Sequence, residues 1–491
     1  MIPGRVGAPE VTPRLLALLL TALLVTALNL GVRLDREMVD VWDESLFAAH
    51  ALDMHQSRQW VVTTTGGEVD YYDTKPPLNS WLVATSFDLF GVGLVPLRLP
   101  SVLAAAGTVL TVFIWARSVL GMAVAAWSVL VLSTSYPFLF VHSGRTANAD
   151  APLALLVTLM FVVLWRSSTT PRQLAGVGPL VAAAIMLKGP AALGFMAPLV
   201  VAGAVAQMRH RRPRSAWVTP LAVGGVAGVL PVALWALARW QFDGWRFLGP
   251  MVDYDIVQRA TTAIQGHDET WHFYVDVLLR HHYDWLVLTG AAVLLAPKAL
   301  RQAWQRVSNA HPDGALLIGA WAVATWLVPT LLPTKLAWYL TPFYPGAAVV
   351  TALAVHDGWR QMRDERQHRR AAAFAALVVL AVGVAEGRMI YRSVARIDLH
   401  RSPQGLLLAF GDAVRGARVF AAGCPSPEAF LIDAAGGTCV AVANVDDAGL
   451  QARPGDLWVD TAPAVAPGFT LLGRNREASL HRRPGEAPTS R

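Results

Sequence analysis

The stretch LLALLLTALLVTALNLGV, at residues 15–32, runs for 18 residues without a charged side chain. As an α-helix it would rise about 27 Å, which is close to the thickness of the hydrocarbon core of a bilayer. Acidic sequence follows it, instead of the small-residue cleavage site that ends a secretory signal peptide. The stretch therefore predicts a membrane helix that stays in the protein.

Similar apolar runs recur along the whole chain. Of its 491 residues, 54% are hydrophobic and only 15% are charged, whereas soluble proteins carry about a quarter charged residues. The pattern predicts an all-α polytopic membrane protein with eleven spans. These spans are residues 15–33, 96–116, 119–140, 151–165, 174–187, 190–207, 217–238, 284–297, 315–333, 338–355 and 371–388.

The basic residues between the spans indicate their orientation. The net charge is +7, but the arginines fall in short connections on one predicted side, as the positive-inside rule expects of cytoplasmic loops. With Arg5 and the RHRRPR run at residues 209–214 cytoplasmic, residues 34–95 form the first extracytoplasmic loop. If the two shortest spans, 174–187 and 284–297, were re-entrant, every segment between them would face the opposite side of the membrane. The expected location is the inner (plasma) membrane. The positive net charge does not indicate binding to nucleic acid.

The last hundred residues have a different pattern. Short β-type runs and one helical run, SPEAFLIDAA, predict a small α/β domain over residues 390–491, after a membrane domain over residues 1–389. This domain holds both cysteines, Cys424 and Cys439. Outside the cytoplasm they are able to form a disulfide; two unpaired thiols are the alternative.

The first extracytoplasmic loop contains two polar motifs. The segment beginning WDESLFAAH predicts an interfacial helix, in which Asp43 and Glu44 either stabilise the helix start or serve as functional carboxylates. The segment YYDTKPPL, at residues 71–78, orients Lys75 through the two prolines that follow it. Lys75 either forms a surface ion pair with Asp73 or binds a lipid phosphate at the membrane surface.

Three more polar clusters belong to the same predicted face. They comprise His142, Arg145 and Asp150 in HSGRTANADAPL, Lys188 in MLKGPAAL, and Lys335 with Tyr339 in LPTKLAWYLTPFYP. Each residue alone would be read as a side chain that extends to water at a helix end. Together they bring cations and carboxylates to one face. That combination suits sugar transfer from a phospholipid carrier, which needs a base for the acceptor and charge stabilisation for the departing phosphate.

The motifs also occur in a familiar order. W-D-E, Y-x-D-x-K-P-P-L, F-G with R-L-P-S, R-x-x-x-x-D, L-K-G-P and K-x-x-x-Y-x-x-P-x-x-P follow one another between about Val39 and Pro345. This order resembles the GT-C membrane glycosyltransferases, and more narrowly the family of protein O-mannosyltransferases and the lipid A aminoarabinose transferase. The tail departs from the arrangements of these proteins and does not indicate the acceptor.

The resemblance implies roles for individual residues. Asp43 matches the general base or acceptor-orienting carboxylate, with Glu44 beside it, and Asp150 matches a residue that supports the acceptor site. A divalent metal ion at Asp43 and Asp150 is a further possibility of the resemblance, with no other cofactor expected. Arg98 matches a structural arginine. The expected binding residues for the carrier phosphate and its sugar are Tyr72, Asp73, Lys75, His142, Arg145, Lys188, Lys335 and Tyr339.

The expected function is therefore transfer of a sugar, with inversion, from a polyprenyl-phosphate donor to an extracytoplasmic hydroxyl of a protein, lipid or glycan. Two alternatives stay open at this point. A ligase for whole lipid-linked glycans would use the same fold. A flippase or transporter of the lipid-linked sugar would show inverted repeats and charges at mid-membrane depth, and the sequence shows neither pattern.

Overall fold

The computed structural model describes residues 12–210, 213–263, 266–395, 399–461 and 466–485. The N-terminal Arg5 and two arginines of the RHRRPR run, which were used to orient the chain, lie outside these ranges. The helices before the C-terminal sheet are α1 (Pro13–Gly31), α2 (Asp43–Ser57), α3 (Leu78–Phe90), α4 (Leu94–Val119), α5 (Met122–Ser133), α6 (Tyr136–Phe140), α7 (Asp150–Ser167), α8 (Val177–Lys188), α9 (Leu193–Arg209), α10 (Arg214–Asp243), α11 (Leu248–Val252), α12 (Arg259–Thr261), α13 (Phe273–His281), α14 (Tyr283–Leu295), α15 (Ala299–Ala310), α16 (Gly314–Leu331), α17 (Tyr344–Asp364), α18 (His368–Ile390), α19 (Pro403–Ala409) and α20 (Gly411–Val414).

Each of the eleven predicted spans overlaps a helix. Among the described residues, eight helical segments are long and apolar enough to cross a membrane, and a ninth span is possible if α14 and α15, bent by 97°, count as one. The remaining two, α5 and α8, have 12 residues each. The fold class, an all-α polytopic membrane protein, is confirmed, and the count of eleven depends on these two short helices and on the bent pair.

The short helix α8 is held by unusually close contact with α10. A Cβ atom at Gly178 would lie 1.8 Å from the carbonyl oxygen of Gly224, and one at Gly228 would lie 2.4 Å from that of Gly178. Small residues four apart allow two membrane helices to approach to backbone contact. The α8–α10 contact is therefore closest at the N-terminal end of α8, near Gly178, and Lys188 lies at the opposite end of the helix.

The first loop folds into helices, as predicted. Helix α2 packs against α3, and Glu44, Ser45, Ala48, His50, Ala51, Leu52 and Met54 are its buried residues. A two-stranded ribbon of β1 (Thr64–Thr65) and β2 (Glu68–Val69) lies between α2 and α3 in the chain. The opposite side of α2 contacts helix α21 (Ser426–Ala434) of the C-terminal region.

The C-terminal region is a small α/β unit. Its strands are β3 (Arg418–Ala422), β4 (Thr438–Val442), β5 (Leu457–Asp460), β6 (Thr470–Arg474) and β7 (Ser479–Arg482), with α21 and α22 (Val445–Gln451) between them. The sheet order is β4-β3-β5-β7-β6, in which β4, β3 and β5 are parallel and the β7 pairings are antiparallel. Strands β3 to β6 were predicted from the sequence and β7 was not. The predicted boundary at residue 390 coincides with the end of α18, but it stays a prediction.

Two links attach this unit to the first loop. The side-chain amide of Gln404 accepts a hydrogen bond from Val39 N at 2.8 Å and donates one to Val39 O at 3.2 Å. The rings of Phe87 and Phe430 stack with their centroids 6.5 Å apart. Cys424 and Cys439 form a disulfide with Cα atoms 6.2 Å apart, which ties the residues before α21 to strand β4.

Candidate active site

A cavity of about 960 Å³ opens where the first loop, the C-terminal end of α8 and the segment before α17 meet. This volume is in the range of small-molecule sites in proteins. Most of the predicted site residues lie on its wall. Those that line it are Asp43, Tyr72, Asp73, Lys75, His142, Asp150, Lys188 and Tyr339, and those that do not are Glu44, Arg145 and Lys335.

Asp43 is the first residue of α2 and faces the cavity, with 52% of its side chain exposed. Trp42 before it has φ of 77°, a strained conformation for a non-glycine residue and one that is typical of functional sites. Asp40 and Asp43 are spaced in the sequence like a helix cap and the third helical residue. The helix instead starts at Asp43, whose carboxylate is exposed while the next two residues are buried.

Glu44 points in the opposite direction from its neighbour. Its side chain is fully buried and pairs with Arg98, with Nε 2.8 Å from Oε1 and Nη2 3.2 Å from Oε2. The same carboxylate accepts hydrogen bonds from the backbone N–H groups of Asp40 and Ala147. The guanidinium of Arg98 also donates to three backbone carbonyls. Glu44 therefore holds the loop together and has no direct path to a substrate.

Arg145 has a similar structural environment. It is fully buried and contacts Glu37, with Nε 2.8 Å and Nη2 2.6 Å from Oε1. It also donates to the carbonyls of Asn29 and Val32 at the end of α1. A binding role for Arg145 was predicted, but its donors are occupied by the scaffold. We name Glu37, Glu44, Arg98 and Arg145 the scaffold cluster.

The acid cluster consists of Asp43, His142 and Asp150. The imidazole of His142 lies between the two carboxylates, with Nε2 3.8 Å from Asp43 and Nδ1 3.7 Å from Asp150. His142 has φ of 56°, and its ring stacks on Trp338 with centroids 4.1 Å apart. Burial disfavours the imidazolium, but the neighbouring Asp150 and Asp43 carboxylates outweigh it and raise the pKa of His142. The cluster is therefore suited to keeping a proton next to Asp43.

These residues are a poor fit for a divalent metal. His142 lies between the two carboxylates that were proposed as ligands, and Asp150 is already paired with the Lys188 ammonium. Across the described ranges, no group of three or more His, Cys, Asp or Glu side chains is arranged to hold a metal ion. We therefore derive no step through a metal.

The cation cluster consists of Lys75, Lys188, Arg259 and Tyr339. The ammonium of Lys188 lies 5.5 Å from the centre of the Tyr339 ring, and the Tyr339 hydroxyl accepts a hydrogen bond of 2.8 Å from Arg259. Asp255 lies between Arg259 and Lys75, at 3.4 Å and 3.7 Å. The cluster gathers three positive charges around one side of the cavity.

Lys75 is oriented by carboxylates and by the backbone beneath it. Its Nζ lies 2.8 Å from Asp73, and its chain crosses Gly189, where a Cβ atom would lie 3.4 Å from Lys75 Cγ. Burial disfavours the ammonium, but the charges of Asp73 and Asp255 outweigh it and raise the pKa of Lys75. Lys75 therefore stays charged at any physiological pH.

The pair of His50 and Asp70 fixes the segment that carries Lys75. The imidazole of His50, buried in α2, lies 2.9 Å from Asp70 Oδ2. The other oxygen of Asp70 accepts from Tyr72 N at 2.7 Å and from Asp73 N at 3.3 Å. This clamp holds the turn that leads into Lys75.

Lys335 does not reach the cavity. Its Nζ donates to the carbonyls of Leu332 at 2.7 Å and Pro333 at 3.5 Å, just beyond the end of α16. A lysine in this place satisfies free carbonyls near a helix C-terminus. Lys335 was predicted to bind phosphate, whereas its ammonium is occupied by these carbonyls and lies outside the cavity lining.

The sequence reasoning missed several residues that line the cavity: Asp40, Tyr254, Asp255, Arg259, His267, Trp338 and Ser426. Four of them, Tyr254, Asp255, Arg259 and His267, lie between α10 and α13. The spacing of Asp255 and Arg259, four residues apart, was a readable signal for an ion pair on one helical face. Ser426 had no such signal, because only the fold brings α21 to the cavity.

The comparisons with known proteins agree with this architecture. Residues 74–235 match the family described as dolichyl-phosphate-mannose-protein mannosyltransferase. An undecaprenyl phosphate-α-4-amino-4-deoxy-L-arabinose arabinosyl transferase of Pseudomonas savastanoi is 27% identical over 79% of this chain and 70% of its own length. The corresponding protein of Edwardsiella ictaluri is 30% identical over 63% of this chain, which spans only 54% of that protein.

Two solved structures share the fold. The crystal structure of ArnT from Cupriavidus metallidurans bound to undecaprenyl phosphate gives a TM-score of 0.68 at 16% identity, covering 96% of this chain and 98% of that one. The oligosaccharyltransferase of Archaeoglobus fulgidus gives a TM-score of 0.52 at 13% identity, covering 90% and 66%.

The fold and the matched sequences define the class: the chain is a GT-C membrane glycosyltransferase that uses a polyprenyl-phosphate sugar. Within that class it is similar to the protein O-mannosyltransferases and lipid A aminoarabinose transferases, the resemblance that the motifs indicated.

Proposed function

We propose that this enzyme transfers a single sugar from undecaprenyl phosphate to a hydroxyl group on the extracytoplasmic side of the inner membrane. The observation that carries the proposal is the pairing of an acid cluster and a cation cluster in one cavity. The two meet at Asp150, which contacts both His142 and Lys188. A base and a phosphate site are thereby brought within the reach of one sugar.

The cation cluster would bind the carrier phosphate. Lys75, Lys188 and Arg259 provide charge, and the Tyr339 hydroxyl provides a neutral partner. The undecaprenyl carrier is the one named for the relatives from Pseudomonas and Edwardsiella. The sugar-phosphate bond breaks with a net gain of negative charge on the phosphate, and preorganised cations stabilise charge that develops in the transition state.

Asp43 would act as the general base. The acceptor oxygen attacks the anomeric carbon, the bond from that carbon to the phosphate oxygen breaks, and the hydroxyl proton passes to Asp43. His142, held between Asp43 and Asp150, would orient the carboxylate and share the proton. Since the nucleophile and the leaving phosphate lie on opposite sides of the sugar, we expect inversion.

The acceptor would approach along the wall formed by α2 and the start of α21. Asp43 and Ser426 both line the cavity there, so the C-terminal unit contributes to the acceptor side. We expect the acceptor to differ from that of relatives whose tails have other arrangements.

The experiment is transfer from a radiolabelled undecaprenyl-phosphate sugar in proteoliposomes, with acceptor fractions from the cell envelope. Label moving into one fraction supports the proposal and identifies the acceptor. Movement of intact lipid-linked sugar across the bilayer without transfer would contradict it, and transfer of a preassembled glycan would favour the ligase.

A further inference from the structure

Asp255 lies inside the cation cluster, where a negative charge competes with an incoming phosphate. Only 4% of its side chain is exposed. Its Oδ1 lies 3.4 Å from Arg259 Nε and 3.7 Å from Lys75 Nζ. Both distances are too long for a strong hydrogen bond, and within the described ranges neither Asp255 Oδ1 nor Arg259 Nε has a hydrogen-bond partner. Two cationic groups thus surround a buried oxygen that neither of them binds closely.

Lys75 does not need this carboxylate to stay in place. It already has a partner in Asp73 at 2.8 Å, and Arg259 donates to Tyr339. With Asp73 and Asp255 ionised, Lys75 and Arg259 are neutralised before any ligand arrives. A phosphate then enters a locally neutral site, unlike the positive site that Lys75 and Arg259 alone would make.

The backbone at Asp255 is irregular. Residues Asp253–Gln258 form a π-helical turn, an irregularity that is frequent at functional sites. Burial, partly opposed by the charges of Lys75 and Arg259, raises the pKa of Asp255. Its carboxylate is thus able to respond to a phosphate by rotating away or by taking up a proton.

We propose that Asp255 is a positioning residue that occupies the place of the carrier phosphate between Lys75 and Arg259 and thereby promotes release of the carrier after transfer. The argument rests on the proposed function of the cation cluster. The donor is a phosphodiester with one negative charge, whereas the product is a phosphate monoester with about 1.5 to 2 negative charges at neutral pH. Asp255 repels the product more strongly than the donor, so the product leaves and the site is free for the next donor molecule.

The test uses Asp255→Asn in the full-length enzyme, with Asp253→Asn as the matched control. Asp253 belongs to the same turn, but it is exposed and accepts a hydrogen bond of 2.8 Å from Gln258. The measurement is the Kd for undecaprenyl phosphate in nanodiscs, by tryptophan fluorescence or native mass spectrometry. Undecaprenol, which has the tail without the phosphate, serves as the control ligand.

Asp255→Asn is expected to lower the Kd for undecaprenyl phosphate about fivefold to tenfold, because a like charge close to the site is removed. Undecaprenol binding and the Asp253→Asn protein should stay unchanged. In turnover assays, Asp255→Asn should also show stronger inhibition by added undecaprenyl phosphate.

An unchanged or higher Kd for the phosphate in Asp255→Asn would overturn the inference and leave Asp255 as a support for Arg259. Failure of the wild type to bind undecaprenyl phosphate more tightly than undecaprenol would instead contradict the proposed function. The wild-type measurement therefore separates the two failures.

Discussion

The scaffold cluster and the cation cluster use the same residue types in opposite ways. In the scaffold cluster, Arg98 is fully buried, and its donors bind a carboxylate and three backbone carbonyls. In the cation cluster, Lys75 and Arg259 border an open cavity and share Asp255 at 3.7 Å and 3.4 Å, although Lys75 also pairs closely with Asp73. A buried ion pair with every donor used has no capacity left for a ligand. The difference separates structural charges from functional ones more clearly than residue type does.

Asp43 borders the cavity, whereas its neighbour Glu44 belongs to the scaffold cluster. Among the variants, Asp43→Asn is expected to have the largest effect. Loss of the general base should lower the transfer rate about 10³-fold, or about 4 kcal/mol in the activation free energy. Thermal stability in detergent should stay close to that of the wild type, because Asp43 is half exposed. Transfer within tenfold of the wild-type rate would remove Asp43 as the base.

Arg98→Met tests the scaffold side. It leaves Glu44 buried without its partner, and removal of one member of a buried pair costs about 3 kcal/mol or more. We expect loss of folded protein in size-exclusion chromatography and a lower unfolding temperature. The double variant Arg98→Met with Glu44→Leu removes both charges and should recover part of the lost stability. Equal stability of the single variant and the wild type would contradict the assignment.

Lys188→Ala and Lys335→Ala form a matched pair, because both lysines were predicted to face the phosphate and only Lys188 lines the cavity. Lys188→Ala should lower kcat/KM for the donor roughly 10- to 100-fold, which is about 1.4–2.8 kcal/mol. Lys335→Ala should lose about 1 kcal/mol of stability through its helix-end hydrogen bonds, with donor kinetics nearly unchanged. Steady-state assays with varied donor distinguish the two; similar losses in both kinetic assays would restore the original prediction for Lys335.

The smallest effect concerns pH. The pKa of His142 is raised in the folded protein above the ordinary value of about 6.5. Its protonation therefore contributes stability that is fully present below about pH 6.5 and is lost as the pH rises through the raised value. The wild type should unfold at a higher temperature than His142→Gln in acid, with the difference shrinking towards alkaline pH. A difference that grows with pH would mean that His142 is neutral in the fold.

Much of the fold could be predicted because long apolar runs in the sequence indicate membrane helices. The eleven helical segments and four of the five C-terminal strands follow from hydropathy and β-type runs. The limits of α5 did not follow, since the predicted span 119–140 is divided in the structure into α5 and the short helix α6.

The lining of the cavity was predictable where a motif carried both position and chemistry, as for Asp43, Lys75 and Lys188. Glu44 and Arg145 were misplaced because their direction depends on partners far away in the chain, Arg98 and Glu37. Arg259 was missed because its role depends on Tyr339, which is 80 residues further along the chain. Contacts between residues so far apart in the chain cannot be inferred from a single sequence.

The contact of α8 with α10 has a consequence for how the enzyme tolerates change. Three positions without side chains, Gly178, Gly224 and Gly228, bring the two backbones together. The same helix α8 ends in Lys188 and Gly189, beside Lys75. A single added methyl group at any of the three would force the N-terminal end of α8, or the turn before it, away from α10. The fit between these two helices is thus set by carbon atoms that the three positions lack.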